Sequence, residues 1–184
     1  MIKFGMKFKW YEKKIANLVL TLLAFSILMP SLSSAGGFEV YKACFVDLPG
    51  WQKGKVEGMS MNYAGMNMVS ANTQYTKGEK ELQVSFTSGA FPGMTQPNLE
   101  GDFEMETSEG SVKMKTIKGK TVTIAHDKQE DASTVSIILK QPGGEKDPNG
   151  AMLNFVGTKM KPDEVLKMAE KFDWNCFEKK VNGQ

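Results

Sequence analysis

No arginine occurs in the 184 residues; all 23 basic side chains are lysine. Arginine is the usual bidentate reader of phosphate, carboxylate and guanine. Its absence, in a domain with little net charge, argues against nucleic acid as a ligand. The chain has one histidine, His126, and two cysteines, Cys44 and Cys176. No C-x-x-C pair exists, which removes the usual dithiol redox site. No nucleophile elbow and no phosphate-cradling glycine loop is present. Beyond Met29 no stretch is apolar enough to cross a bilayer. These absences leave no catalytic set and point to a non-catalytic protein.

The N-terminal segment carries an address. Lys3, Lys7, Lys9, Lys13 and Lys14 precede an uncharged apolar run, Ile15 to Met29. Pro30 breaks that run, and Ser33-Ser34-Ala35 supplies small residues for a peptidase. Charge, apolar run and small residues in that order mark a secretory signal over residues 1–35, an uncleaved N-terminal anchor being the alternative. Cleavage after Ala35 leaves 149 residues, enough for one domain with its own core. The formal charge of the whole chain is +2, but the leader holds five lysines against Glu12, so the remainder carries about −2. Such near balance steers the domain toward no particular partner. The product is expected to be soluble and periplasmic or secreted, with no membrane span after cleavage. In an oxidising compartment Cys44 and Cys176 are a disulfide candidate; two separately buried thiols are the alternative.

Alternation of apolar and polar residues then marks strands. Val69, Ala71, Thr73 and Tyr75 alternate with Ser70, Asn72 and Gln74; Lys77-Gly78-Glu79 turns the chain; Leu82, Val84 and Phe86 return. Gly36 to Val46 fits a strand or a short helix equally well. Ser88 to Gly101, with Gly89, Pro92, Gly93 and Pro97, reads as a crossover loop. Met114 to Ile117 and Val122 to Ile124 flank Lys118-Gly119-Lys120 as a hairpin, and Val135 to Leu139 pairs with Met152 to Val156. Pro162, Asp163 and Glu164 open a helix whose Val165, Met168, Ala169 and Phe172 share one face. The expected fold is α+β: a single domain over 36–177, an antiparallel sheet of about six strands packed by a C-terminal amphipathic helix, then a polar tail over 178–184.

Methionine is the residue in excess. Ten remain after the leader, and four fall in Gly58 to Met68 as Met59, Met61, Met66 and Met68. With Ala64-Gly65 as a hairpin tip, Tyr63 faces Met66, Met61 faces Met68, and all four methionines project from one face. Cross-strand neighbours have Cβ atoms about 4.5–5.5 Å apart. Continuing that face along the strand gives Ser70, Asn72 and Gln74, so without a bulge the methionines lie on the polar side of the sheet. Three uses are open to them: gap-filling in the core if a bulge reverses the register, an adaptable protein-contact surface, or a thioether site for Cu(I).

Other candidates read as structural. His126 sits at a strand end beside Ile124. Pairing it with Cys44 as base and nucleophile would need a free thiol. Asp102, Glu104 and Glu106 alternate with Phe103 and Met105 and form the charged face of an edge strand. Glu145, Asp147 and Asn149 lack calcium-loop spacing and read as turn chemistry.

Four short segments carry a resemblance: Leu48-Pro49-Gly50-Trp51, Tyr75-Thr76-Lys77-Gly78, Glu81-Leu82-Gln83-Val84 and Lys171-Phe172-Asp173-Trp174. Their order resembles small exported bacterial proteins of unassigned function, and the strand order with a closing helix is similar to the Mog1/PsbP-like α+β sandwich. That likeness implies a fold and an address, and it carries over no active-site residue. The reading is therefore an exported soluble module of the bacterial envelope that binds or assembles, with edge strands and the Ser88–Gly101 loop as contact surface and an envelope protein or small ligand as partner. The alternative is a periplasmic Cu(I)-handling protein using Met59, Met61, Met66 and Met68; no other cofactor is implied.

Overall fold

Strand alternation and tight turns build two antiparallel meanders. The structure, a computed structural model, describes residues 37–63, 66–90, 102–143 and 148–183, without the side chains of Tyr63 and Met66. All of these belong to the unit Gly36–Gln184. The first meander is β1 (Gln52–Lys53), β2 (Glu57–Tyr63), β3 (Met66–Lys77) and β4 (Lys80–Gly89). The second is β5 (Phe103–Glu106), β6 (Gly110–Ile117), β7 (Lys120–Asp127), β8 (Ala132–Lys140) and β9 (Gly150–Thr158). Two-residue turns set the register where the sequence demands positive φ: Lys118 (52°) and Gly119 (73°) link Ile117 to Lys120, and Gly78 (60°) lies between the paired Lys77 and Lys80.

The meanders join through β4 and β9, giving one open sheet in the order β1-β3-β4-β9-β8-β7-β6-β5, with β2 also on β3. β1 and β2 together form one interrupted edge strand. Between them the Gly54 amide donates to the Gln74 carbonyl at 2.7 Å. Nine strands thus replace the six expected from sequence. Only the two-residue β1 is too brief for alternation to mark; β2 is the first strand of the Met59–Met68 hairpin and β5 the acidic edge strand, both anticipated but left out of the count of six.

One face of the sheet is covered. Ala71, Phe86, Leu153, Ile137 and Val122 form one continuous row across it, and Thr73, Val84, Phe155, Val135 and Ile124 form the next. Helix α1 (Pro162–Ala169) packs on β7, β8 and β9, and helix α2 (Trp174–Asn182) on β8, β9 and a 3₁₀ helix at Phe38–Cys44. α1 buries Val165, Leu166 and Ala169, and α2 buries Trp174 and Phe177. The Glu164 carboxylate accepts from the Lys161 amide and so caps α1. Asp173 caps α2 by accepting from the Asn175 amide at 3.0 Å. The segment Glu178–Asn182, expected as a tail, instead completes α2, and Glu178 pairs with Lys120 at 2.5 Å. A single C-terminal helix was expected; Ser/Asp-type capping at Asp173 starts a second.

Close approach of α1 to the sheet depends on Gly157. A Cβ there would meet Val165 Cγ2 at 2.5 Å and Met160 at 3.0 Å. Aromatic rings fill the rest: Tyr41 stacks on Phe86 at 4.2 Å, Phe45 meets Phe177 edge-on at 5.3 Å, and Phe155 meets Phe172 at 4.9 Å. Tyr75 is buried and donates to the Val46 carbonyl; burial pushes its phenol pKa up, with Asp47 adding to the effect. The disulfide Cys44–Cys176, with Cα atoms 5.7 Å apart, ties the 3₁₀ helix to α2.

Candidate functional site

The opposite face of the sheet has no described helix on it. Its residues follow from the same register. One row runs Met59, Ser70, Thr87, Met152 and Ile138; the next runs Glu57, Asn72, Ser85, Asn154, Ser136, Thr123, Met114 and Phe103; a third carries Val156, Thr134, Ala125, Val112 and Met105. The centre is hydroxyl- and amide-rich, as a solvated sheet face should be. Both edges depart from this. β2 and β3 carry Met59, Met61 and Met68, and β5 and β6 carry Phe103, Met105, Val112 and Met114. Six of the ten methionines outside the leader take this face.

Exposure shows how unusual the edges are. Met59 is 62% exposed, Met61 47%, Met105 49% and Phe103 37%. Among the described residues only Val40 joins them as an exposed large apolar side chain. Burial also changes phase at this end of the sheet. In β7 the buried positions are Val122 and Ile124 on the covered side, whereas in β6 the buried one is Met114, which faces the open side and lies outside the main core. Glu104 and Glu106 accordingly point to the covered side beyond the helices, where they pair with Lys113 at 2.8 Å and Lys128 at 2.9 Å. Lys128 lowers the pKa of the Glu106 carboxyl through hydrogen bond and charge. The acidic row of β5 is therefore engaged in ion pairs on an edge strand.

The hairpin register anticipated for the methionines is present. Tyr63 is opposite Met66, Met61 opposite Met68, and Met59 opposite Ser70, with no bulge between them. Core packing is thereby excluded for Met59 and Met61; Met68 is half-buried. Ala64, Gly65 and the Met66 side chain lie outside the described residues, as do Glu145, Asp147 and residues 91–101 of the expected Ser88–Gly101 loop; Ser88 and Gly89 belong instead to β4.

The remaining chemistry-bearing residues are occupied. Cys44 and Cys176 are bonded to each other, so Cys44 offers no thiol to His126. His126 Nδ1 lies 3.1 Å from the Ala132 carbonyl and 3.0 Å from Ser133 Oγ. The Ser133 hydroxyl donates to the Met160 carbonyl at 2.7 Å, so its oxygen accepts and Nδ1 is the donor to it. That chain of bonds ties β7 and β8 to the start of α1. Among the described residues no group of three or more His, Cys, Asp or Glu is placed to hold a metal ion.

Sequence reasoning missed one hollow. A cavity of about 410 Å³ is lined by Trp51, Lys77, Glu79, Lys80, Lys159, Met160, Glu164 and Met168. Four of its five charges pair internally: Lys80 with Glu164 at 2.6 Å and Lys159 with Glu79 at 2.9 Å. The Trp51 turn foreshadowed one wall; the other walls come together only through the β3–β4 and β9–α1 connections. No family model, no curated protein and no solved structure matches this chain.

Proposed function

We propose that this protein is an exported, non-catalytic binding module that meets a protein of the cell envelope through the open face and edges of its sheet. A single observation carries the reading: four of the five exposed large apolar side chains among the described residues, Met59, Met61, Phe103 and Met105, lie on that one face. Scattered exposed apolar residues need no explanation, but segregation to one face marks a contact surface. Methionine suits the role because its unbranched, polarisable side chain adapts to a partner's contour. Both clusters sit on edge strands, where unpaired backbone groups add a second means of attachment. The leader and the Cys44–Cys176 bond support a periplasmic or secreted address. Among the described residues no helix is long and apolar enough to cross a membrane.

Photo-crosslinking in the producing cell tests the reading. A crosslinking side chain at Met61 or Phe103 should give a discrete adduct with one envelope protein, and the same group at the exposed Glu170, just past the end of α1, should not. Met105→Lys should remove the Phe103 adduct while the melting temperature stays unchanged. Equal adducts from both faces, or robust turnover of a substrate by the purified protein, would overturn it.

A further inference from the structure

We propose that Met59, Met61 and Met68 form a thioether site for a soft monovalent cation, Cu(I) in the first instance. This goes beyond the binding role above and does not depend on it. Met61 and Met68 are direct cross-strand partners, and Met59 is two residues from Met61 on the same face, diagonal to Met68. Direct partners hold their Cβ atoms about 4.5–5.5 Å apart and diagonal ones about 7–8 Å apart. Methionine has three rotatable bonds, so three sulfurs on this grid can lean onto one ion.

The pattern along the face argues that sulfur matters more than apolarity. β3 reads Gln74, Asn72, Ser70 and then Met68; β2 reads Glu57, then Met59 and Met61. The face is polar until it reaches the hairpin's far end, and there each described apolar position is a thioether. Met59, Met105 and Met61 are also the most solvent-open of the described large apolar side chains. Thioethers are neutral, soft and proton-independent, which selects Cu(I) over Mg²⁺, Ca²⁺ and Zn²⁺. Ser70 and Thr87 beside them are hard oxygen donors that add nothing for a soft ion. Glu57, next along the row, places negative charge near a complex that keeps its full positive charge.

Titration of the intact exported protein with Cu(I) against a chromophoric chelator, under ascorbate and without oxygen, decides this. Ascorbate is chosen because a thiol reductant would open Cys44–Cys176 and create competing ligands. The wild type should take one Cu(I) per chain, and copper absorption spectroscopy should show sulfur scatterers. Met59→Leu/Met61→Leu/Met68→Leu should weaken binding at least about 100-fold and Met61→Leu alone about tenfold, both with unchanged circular dichroism. Met105→Leu/Met152→Leu on the same face should leave affinity untouched. Zn²⁺ should not compete. Failure of the wild type to take copper from the chelator, equal affinity in the triple variant, or loss of binding in the Met105/Met152 control would each sink the site. None of these outcomes bears on the photo-crosslinking result, so the two readings fail separately.

Discussion

The covered and open faces of this sheet are made of the same nine strands and differ in almost every other respect. On the covered face, Val84, Phe86, Val135, Ile137, Leu153 and Phe155 are wholly buried, and two helices and a disulfide hold them there. On the open face, hydroxyl and amide side chains are interspersed with Met152, Ile138 and Val156 in the middle, and the exposed methionines and Phe103 collect at the two edges. Stability is concentrated on one side, and the proposed contact surface lies on the other. Such a division lets the open face change without unfolding the protein, because surface substitutions away from caps and cores cost little.

The largest expected effect lies on the covered side. Removing the Cys44–Cys176 bond releases a loop of 132 residues, worth about 4–5 kcal/mol on loop-entropy grounds. Urea unfolding with and without reductant, or of Cys44→Ser/Cys176→Ser, should show that loss. A change under about 1 kcal/mol would mean that packing of α2 alone holds the terminal segments together. Phe155→Ala comes next, at about 3–5 kcal/mol, since it empties the contact with Phe172 at the centre of the core. Gly157→Ala should cost about 1–3 kcal/mol, because its Cβ meets Val165 Cγ2 at 2.5 Å and α1 must move off the sheet.

How far the sequence revealed this contrast depends on the element. β3, β4, β7, β8 and β9 were legible because strict alternation against a covered face repeats over many residues. The Met61–Met68 register was legible for the same reason: Val69, Ala71 and Tyr75 fix which face β3 turns inward. β5 and β6 were not. Phe103 and Met105 look like the inward side of an ordinary strand, yet the helices end before they reach β5, so the apolar side is the open one. Only the lengths of α1 and α2 and the strand order reveal that. The second helix was hidden because Glu178, Lys179 and Lys180 read as a polar tail; burial of Trp174 and Phe177 and the Asp173 cap override that impression. The cavity beside Trp51 draws its walls from distant segments and has no local signature at all.

A smaller effect links α1 to the hairpin beneath it. Lys80 first, then the Lys161 amide, hold the Glu164 carboxyl below its usual pKa. A depressed folded-state value means this stabilisation is present above the unfolded-state pKa of 4.5 and is lost as pH falls through the folded one. The pair is partly exposed, so the expected loss is under about 1 kcal/mol. Glu164→Gln should remove that part of the acid dependence in melts between about pH 5 and pH 2 and leave the neutral-pH melting profile nearly intact.

The smallest effect is the sharpest test of the contrast itself. Met59→Leu/Met61→Leu/Met68→Leu conserves volume on a face that α1 and α2 do not touch, so the unfolding free energy should move by no more than about 0.5 kcal/mol. Phe103→Ser/Met105→Ser removes side chains that are 37% and 49% exposed and should cost no more than about 1 kcal/mol. A loss of about 2 kcal/mol or greater in either would show that the open face is buried by something in the free protein, because deleting a side chain is that costly only where it packs. The same variants that probe binding therefore also measure whether the second face contributes to the fold.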